Sequence, residues 1–470
     1  RLKPRCYYDL VIQIAIVRPG PIQGEMVHPY LNRRSGKEAI SYPSEAVKSV
    51  LARTLGVPIF QEQVMQLAMV AAGFSGGEAD GLRRAMAAWK RKGGLEHYRE
   101  KLVTGMLDRG YEPSFAEQLF NQIKGFGDYG FPESHSASFA LIAYVSSWLK
   151  CYHPAAFCCA LLNSQPMGFY APAQLIKDAQ RHGVEVVPAE VNKSMVSCSL
   201  EAVETDEVRI PRQRRLRIGF NLVKGLSDQA AMAIVEARSG GAYVSIQDLV
   251  FRAGIDRRDL EALAAADALR GLAGDRHRAF WHAAGVITAQ GNSSPHSISH
   301  SSSYSRMTAD LFDDAANVDS DFGLGVMLPL ASESQNVAGD YASTGFTLRR
   351  HPLALLRDHL ARFGASCSGE LRQLGNEQMT KIAGLVTCRQ RPMTASGVTF
   401  LTLEDEAGHI NVVVWPALGE RLRPVLRQAM LIGVVGRVQE SDGVIHVIAD
   451  DLVDLTSWLG ELSLSSRDFT

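Results

Sequence analysis

Basic side chains are concentrated in one short segment of a chain whose total charge is close to zero. Residues 81–101 hold seven Lys or Arg against two Glu. On a helix at about 100° per residue, Leu82 and Met86 share an apolar stripe and the cations lie on another face. Guanidinium groups match phosphate oxygens, so this face suits a triphosphate or a nucleic-acid backbone. A solvated helix surface remains the alternative. The candidate phosphate-binding cations are Arg83, Arg84, Lys90 and Lys92.

A second candidate anion site lies where an apolar helix is predicted to begin. His135 stands between two serines in the run Glu133-Ser-His-Ser-Ala, ahead of a long apolar stretch. Helix N-termini bind anions through free backbone N–H groups, so Ser134 and His135 are candidates for phosphate contact. A capping serine beside a structural histidine is the alternative, and the residues alone favour that alternative.

A tight turn opens a helix at residues 223–228. Such turns in helix-hairpin-helix motifs hold a DNA phosphate with backbone N–H groups. Gly225 stands in the first glycine position of this motif, but Ser227 stands where a second glycine is usual. Lys224, Gly225 and Ser227 are therefore candidate DNA contacts, and a plain packing turn is the alternative.

Five short β-rich runs occupy residues 380–455, separated by Gly and Asp turns. This number of strands in so few residues is typical of a small OB-type Greek-key barrel. If Leu401, Leu403 and their alternating neighbours line the core, Phe400 and Trp415 point outward. With Arg389 and Arg391 nearby, the two rings would form a stacking platform for single-stranded bases. The opposite register, with both rings in the core, remains the alternative.

Paired carboxylates of the kind that hold Mg²⁺ for nucleotidyl transfer are not evident. The one Asp-x-Asp, at Asp319 and Asp321, lies in a low-complexity stretch. The run Glu404-Asp405-Glu406 is followed by Gly408 and is interpreted as a hairpin turn. No metal site is predicted in this chain.

Composition restricts the class of protein. The chain has 470 residues, 46% of them hydrophobic, and a net charge of -1, which excludes a disordered chain and a uniformly basic nucleic-acid coat. Seven cysteines without C-x-x-C spacing disfavour zinc ribbons and a disulfide framework, and favour the cytoplasm. Membrane spans are not expected, because no apolar run approaches about 20 residues. The first residue is Arg, so a piece of a longer protein is expected.

These patterns predict a multidomain α+β chain. Residues 1–190 read as mostly helical, and 191–286 as a helix-hairpin-helix region with short strands. Residues 287–379 are interpreted as a serine-rich and acidic flexible linker, reaching to about 345, followed by connecting helices. Residues 380–470 are assigned to the OB-type barrel.

Several long runs of the sequence match a known family. They include RLKPRCYYDL, RPGPIQGEMV, DGLRRAM and GDYGFPESHSASFALIAYVSSWLKCYHPAAF. By these runs, which cover nearly all of the chain outside the predicted linker, the chain resembles the bacterial C-family DNA polymerases, the family of the replicative DNA polymerase III alpha subunit. Pro132-Glu133 stands where the replicative branch typically has Asn-Lys, so the chain is most similar to the error-prone branch.

This resemblance implies fingers over 1–190, duplex binding over 191–286 and an OB domain at the end. It also implies a dNTP and a template-primer as ligands, with Arg83 and Arg84 beside the incoming triphosphate. The palm of this family carries the catalytic aspartates and is absent from the chain. Mg²⁺ is therefore expected for the complete enzyme only, and the chain alone is expected to be inactive.

The sequence also suggests partner proteins. A segment that resembles a clamp-binding peptide, Asp310-Leu311-Phe312, has Thr308 in its glutamine position. Other translesion or mutasome proteins are expected partners of this branch. The alternative function is a non-catalytic adaptor for single-stranded or duplex DNA, built from the same folds.

Overall fold

The computed structural model describes residues 2–17, 26–92, 95–125, 132–167, 170–202, 214–290, 329–392, 395–441 and 443–460. For 87–92, 95 and 286–290 it describes the backbone alone. The chain divides into two compact units, Arg1–His153 and Pro154–Thr470. No helix within these described ranges is long and apolar enough to cross a membrane. The predicted clamp segment and the carboxylates Asp319 and Asp321 lie outside the described residues.

The first unit is helical. Its core is formed by the apolar faces of its helices. One such face carries Val64, Leu67 and Ala71, and the helical spacing of these residues predicted their helix. Its helices are α1 (Tyr7–Ile16), α2 (Val27–Arg34), α3 (Glu45–Leu51), α4 (Gln61–Ala72), α5 (Gly76–Lys92), α6 (Leu95–Leu107), α7 (Pro113–Gly125) and α8 (Glu133–Tyr152).

A partly buried ion pair ties the start of α1 to α2. The Arg34 guanidinium donates to both Asp9 carboxylate oxygens at 2.7 Å, and the Arg5 backbone N–H also donates to Asp9. These contacts, led by the Arg34 hydrogen bonds, lower the pKa of Asp9 to about 2. The carboxylate therefore stays charged at neutral pH.

The first part of the second unit shares one core from Cys158 to Ala283. Its elements are α9 (Pro154–Asn163), α10 (Pro172–Arg181), β1 (Val186–Val187), β2 (Ser199–Ala202), β3 (Arg214–Arg217), α11 (Asp228–Ala237), α12 (Ile246–Ala253), α13 (Arg257–Ala265), α14 (Arg270–Ala273) and α15 (Arg276–Gln290). The helices α9 and α10 belong to this core, whereas the sequence placed the domain boundary near 190. A small sheet, with β1 parallel and β2 antiparallel to β3, packs with them.

The flexible-linker interpretation is wrong for its last part. Residues 333–343 form α16 (Glu333–Ser343), which begins with a capping box at Ser332 and buries Val337 completely. The Arg276 guanidinium of α15 pairs with Asp340 of α16 at 2.6 Å. Two short helices follow, α17 (Pro352–Leu355) and α18 (Arg357–Phe363). The serine-rich part of the predicted linker, 291–328, lies outside the described residues.

The predicted barrel is confirmed as a closed five-stranded barrel. Its elements are β4 (Met379–Gln390), β5 (Thr399–Glu404), β6 (His409–Val414), α19 (Pro416–Arg421), α20 (Arg423–Gln428), β7 (Leu431–Ser441) and β8 (Val444–Asp454). The strand order is β4-β5-β6-β8-β7; β8 runs parallel to β6, and the other pairs are antiparallel. At Gly436 the strands bulge, and a Cβ there would lie 2.2 Å from the Ile448 carbonyl oxygen, so closure requires glycine.

Candidate functional site

The two predicted phosphate-binding arginines share one carboxylate on α5. Arg83 donates from Nε to Asp80 Oδ1 at 2.9 Å, and Arg84 donates from Nε to Asp80 Oδ2 at 2.8 Å. Leu82 and Met86, both buried, anchor the opposite face of the helix. The guanidinium groups are thus held side by side on a fixed helix face and remain partly exposed.

Asp80 was missed by the sequence analysis. It lies three and four residues before the arginines, the spacing at which helix side chains form ion pairs, and that spacing was the available signal. The hydrogen bonds from Arg84 and Arg83 lower the pKa of Asp80. The trio therefore carries one net positive charge, with both guanidinium planes oriented before any phosphate arrives. Lys90 and Lys92 continue α5, but their side chains lie outside the described residues.

The start of α8 is not capped by a serine, and the predicted phosphate contact of Ser134 and His135 stays a prediction. Pro132 is the N-cap residue and provides no capping hydrogen bond, so the capping interpretation of Ser134 is wrong. The Glu133 N–H donates to the Glu62 carboxylate at 3.0 Å. Ser134 and His135 are exposed in the first turn, and the centroids of the His135 and Phe139 rings lie 4.7 Å apart. A phosphate at this helix start would lie beside the Glu62 carboxylate.

The hairpin turn before α11 is built by side chains that are distant in sequence. Gly225 has a φ of +87°, a backbone conformation that favours glycine. Ser227 caps α11 by accepting from the Ala230 N–H, while its own N–H donates to Asp259 Oδ1 at 2.8 Å. In this structure Ser227 is therefore a cap whose N–H is already used, and not a free donor for a phosphate.

Lys224 also has a structural contact. Its Nζ donates to the carbonyl oxygens of Tyr341 and Ala342 at 3.1 and 3.2 Å, and its backbone N–H donates to the Ser343 carbonyl at 2.8 Å. These carbonyls belong to the last turn of α16, where a cation is favoured by the helix dipole. Lys224 thus holds the hairpin against α16.

A second turn of the same form joins α12 to α13. Gly254 has a φ of +63°, Ile255 is buried, and Asp256 caps α13 by accepting from the Asp259 N–H at 2.9 Å. The signal was present, because Gly-Ile-Asp at 254–256 repeats the Gly-Leu-Ser pattern at 225–227. Arg257 and Arg258 follow the turn with exposed side chains. The sequence predicted one hairpin turn, whereas the described residues form two.

The predicted register of the barrel is confirmed. Leu401 and Leu403 are buried, whereas Phe400 is 36% and Trp415 53% exposed. Phe400 pairs with Val413 of β6, and Val413 pairs with Ile448 of β8. Since directly paired residues share a face, an apolar row crosses three strands on the outside of the barrel. This row lines a cleft on the barrel surface, and Trp415 lines the same cleft.

The two predicted barrel cations do not join this cleft. Arg389 donates from Nε to the Leu426 carbonyl at 2.9 Å and from Nη2 to the Ala429 carbonyl, so it holds the end of α20. Together with the exposed Arg391 it lines a neighbouring groove. The same groove receives Arg423 and Arg427, which the sequence analysis did not single out. The barrel thus has an aromatic cleft and, beside it, a basic groove.

No group of three or more His, Cys, Asp or Glu in the described part of the chain could hold a metal ion. The hairpin-turn interpretation of 404–406 agrees with the geometry: Asp405 accepts from the Gly408 N–H at 2.8 Å within the β5–β6 turn. Glu404 pairs with Lys177 at 2.6 Å. The described residues do not fit the Mg²⁺ that polymerase chemistry implies, and we assign it no ligand here.

Three family models match the chain in sequence order. The model for the bacterial DNA polymerase III alpha subunit finger domain matches residues 1–110. A helix-hairpin-helix motif model matches residues 183–279. A model of an OB-fold nucleic acid binding domain matches residues 380–455. These regions contain the arginine pair of α5, both hairpin turns and the aromatic cleft of the barrel.

Curated relatives match the chain along its whole length. The error-prone DNA polymerases of Methylococcus capsulatus, Bordetella bronchiseptica and Alkalilimnicola ehrlichii are 56%, 55% and 53% identical to it. The chain covers 44%, 42% and 43% of these relatives, so it spans less than half of their length. Among solved structures, asparaginyl-tRNA synthetase from Pyrococcus horikoshii covers 17% of the chain at 20% identity, and its TM-score of 0.15 carries no argument. The three region matches and the full-length similarity show that this chain belongs to the bacterial C-family DNA polymerases, the family of the DNA polymerase III alpha subunit, in their error-prone branch.

Proposed function

We propose that this chain is the C-terminal part of an error-prone, damage-tolerant DNA-directed DNA polymerase, and that it binds the incoming nucleotide and the template-primer. The observation that carries the proposal is similarity along all 470 residues to relatives of that name. The paired arginines of α5, two hairpin turns and an aromatic barrel cleft are consistent with it. Mg²⁺ would be held by palm aspartates of the longer enzyme, which would work in the bacterial cytoplasm.

The test compares the 470-residue chain with a polypeptide of the relatives' full length. We expect the chain alone to leave a primer unextended with Mg²⁺ and dNTPs, because its described residues offer no metal cluster. The longer polypeptide should extend the primer and read past a damaged template base. Template-dependent extension by the pure chain would contradict the predicted inactivity. Failure of both polypeptides, with DNA binding intact, would favour the non-catalytic adaptor.

Duplex DNA is the proposed ligand of the second unit's hairpins. The turn at Gly254 leads into α13, whose first residues Arg257 and Arg258 are exposed. The arginines would add charge-assisted contacts to the phosphates that backbone N–H groups hold at such turns. At the first turn the available contact is the backbone at Gly225, since Lys224 and Ser227 are engaged within the protein.

Single-stranded template is the proposed ligand of the barrel. Replacing Trp415 by Ala in the full chain should weaken binding of a short fluorescent oligonucleotide by about 5- to 150-fold, because stacking contributes about 1–3 kcal/mol per base. Affinity should also fall as salt rises, since displaced counterions supply part of it. Val444→Ala is the control, because Val444 is exposed on β8 outside the cleft. Equal affinities for wild type and Trp415→Ala would remove the cleft from DNA binding.

Clamp binding through Asp310, Leu311 and Phe312, and contacts with other translesion proteins, remain predictions from the sequence. These three residues lie outside the described residues.

A further inference from the structure

The helix α8 carries its large apolar side chains on the side away from its own core. Its buried residues are small: Ser136 and Ala140 are fully buried, and the Ser136 hydroxyl donates to the Val11 carbonyl of α1. Eight large apolar side chains on the same helix are 37% to 64% exposed. They are Phe139, Leu141, Ile142, Tyr144, Val145, Trp148, Leu149 and Tyr152.

These side chains form one continuous surface, which we call the α8 apolar face. At about 100° per residue, all except Phe139 fall within an arc of roughly 160°. An amphipathic helix normally turns such an arc toward a core, and contiguous exposed apolar patches of this kind mark interaction sites. On α8 the small residues face the core and the large apolar side chains face outward. We therefore expect the α8 apolar face to be an interaction surface.

The scarcity of charged side chains on α8 indicates that the binding partner of the face is a protein. Within α8 the acidic and basic residues are Glu133, in the first turn, and Lys150, near the end. Nucleic-acid backbones are bound by several Lys or Arg side chains, which this face does not offer. A helix that lies on a lipid surface is typically rich in Lys and Arg on its polar face, whereas α8 has Lys150 alone. Apolar packing against another folded region remains.

The apolar composition of the face is typical of a permanent interface and not of a transient one. Transient interfaces are about as polar as ordinary surface, whereas permanent interfaces resemble a domain core cut in half. The relatives that match this chain carry more than half of their length outside the matched region. A region of the same polypeptide is the most permanent partner available.

We propose that the α8 apolar face is the docking surface for that region of the longer polymerase, the part of the relatives with no counterpart in this chain. This rests on the proposed function insofar as it requires the longer polypeptide. Docking there would hold the nucleotide-binding unit, with Arg83 and Arg84, against the remainder of the enzyme.

The experiment compares substitutions in two polypeptides, the 470-residue chain and its extension to the relatives' full length. Leu141→Glu and Trp148→Glu should leave the melting temperature of the shorter chain unchanged, because the face is exposed there. The same substitutions should lower the melting temperature of the longer polypeptide and expose it to protease. Val244→Glu is the control, since Val244 is 83% exposed and lies elsewhere, and should change neither.

A footprint gives the second readout. Hydroxyl-radical oxidation of Tyr144, Trp148 and Tyr152 should be high in the shorter chain and several-fold lower in the longer polypeptide. Equal oxidation in both would overturn the proposal. So would a dimer of the shorter chain that Leu141→Glu dissociates, because the occupant would then be a second copy. Protection in a longer polypeptide that cannot extend a primer would keep the docking surface and contradict the proposed polymerase activity.

Discussion

Replacing Arg83 or Arg84 by Ala in the full-length polymerase should lower affinity for the incoming nucleotide by about 10- to 150-fold. A charge-assisted contact to phosphate contributes about 1.5–3 kcal/mol, and each 1.4 kcal/mol is a factor of about ten. Both guanidinium groups are oriented by Asp80, so each substitution removes a contact that is already positioned. Single-nucleotide incorporation, measured as KM and kcat for dNTP, is the assay.

Three further variants make this test specific. Lysine at either position should restore activity only in part, because an ammonium group cannot form the bidentate fork. Arg99→Ala is the matched control: Arg99 is a half-exposed arginine of the same unit that pairs with Glu117 at 2.6 Å. If both Ala variants fold and keep wild-type KM and kcat, the pair is a solvated surface. The phosphate contacts would then be sought at Lys90, Lys92 or the α8 start with Ser134 and His135.

Replacing Asp405 by Ala should destabilise the barrel by about 3–5 kcal/mol. Asp405 is 1% exposed. It accepts from the Ser368 N–H and hydroxyl, both at 2.6 Å, and from the Ala407 and Gly408 N–H groups at 2.9 and 2.8 Å. Alanine would leave these partly buried donors without an acceptor, and an unsatisfied donor that water does not reach costs about 1–3 kcal/mol.

Native-state hydrogen exchange of the β5 and β6 amides measures this effect without requiring the whole chain to unfold in one step. The control is Asp451→Ala, since Asp451 is half exposed and its contact with Arg421 is 3.3 Å long. A surface pair of this kind contributes about 0–1 kcal/mol. An Asp405→Ala barrel as stable as the control would mean that water replaces the carboxylate and that the turn does not depend on the Asp405 side chain.

Features that depend on local periodicity could be predicted from the sequence. Alternation with a period of two placed Leu401 and Leu403 inside the barrel and Phe400 and Trp415 outside, because successive side chains of a strand face opposite sides. The helical spacing of Leu82 and Met86 likewise placed the α5 cations on a face away from the core. Runs shared with a known family identified the order of the three regions.

Which polar side chains are engaged was decided only by tertiary structure. The sequence nominated Lys224, Ser227 and Arg389 as DNA contacts, and all three are engaged with carbonyls or a carboxylate far away along the chain. Residue type and spacing indicate what a side chain can bind. Contacts with residues far away along the chain determine whether that side chain is bound within the protein or is left for a ligand.

The same distinction applies to α8. Its apolar sequence predicted a long helix, and α8 is one. Hydrophobicity alone does not say which face meets its own core. In the fold α1 approaches the side with small residues, where Ser136 and Ala140 allow close contact, and this leaves the large side chains outward. The sequence by itself thus determined elements, faces and family, while the assembled fold decided which faces are filled and which remain to be covered.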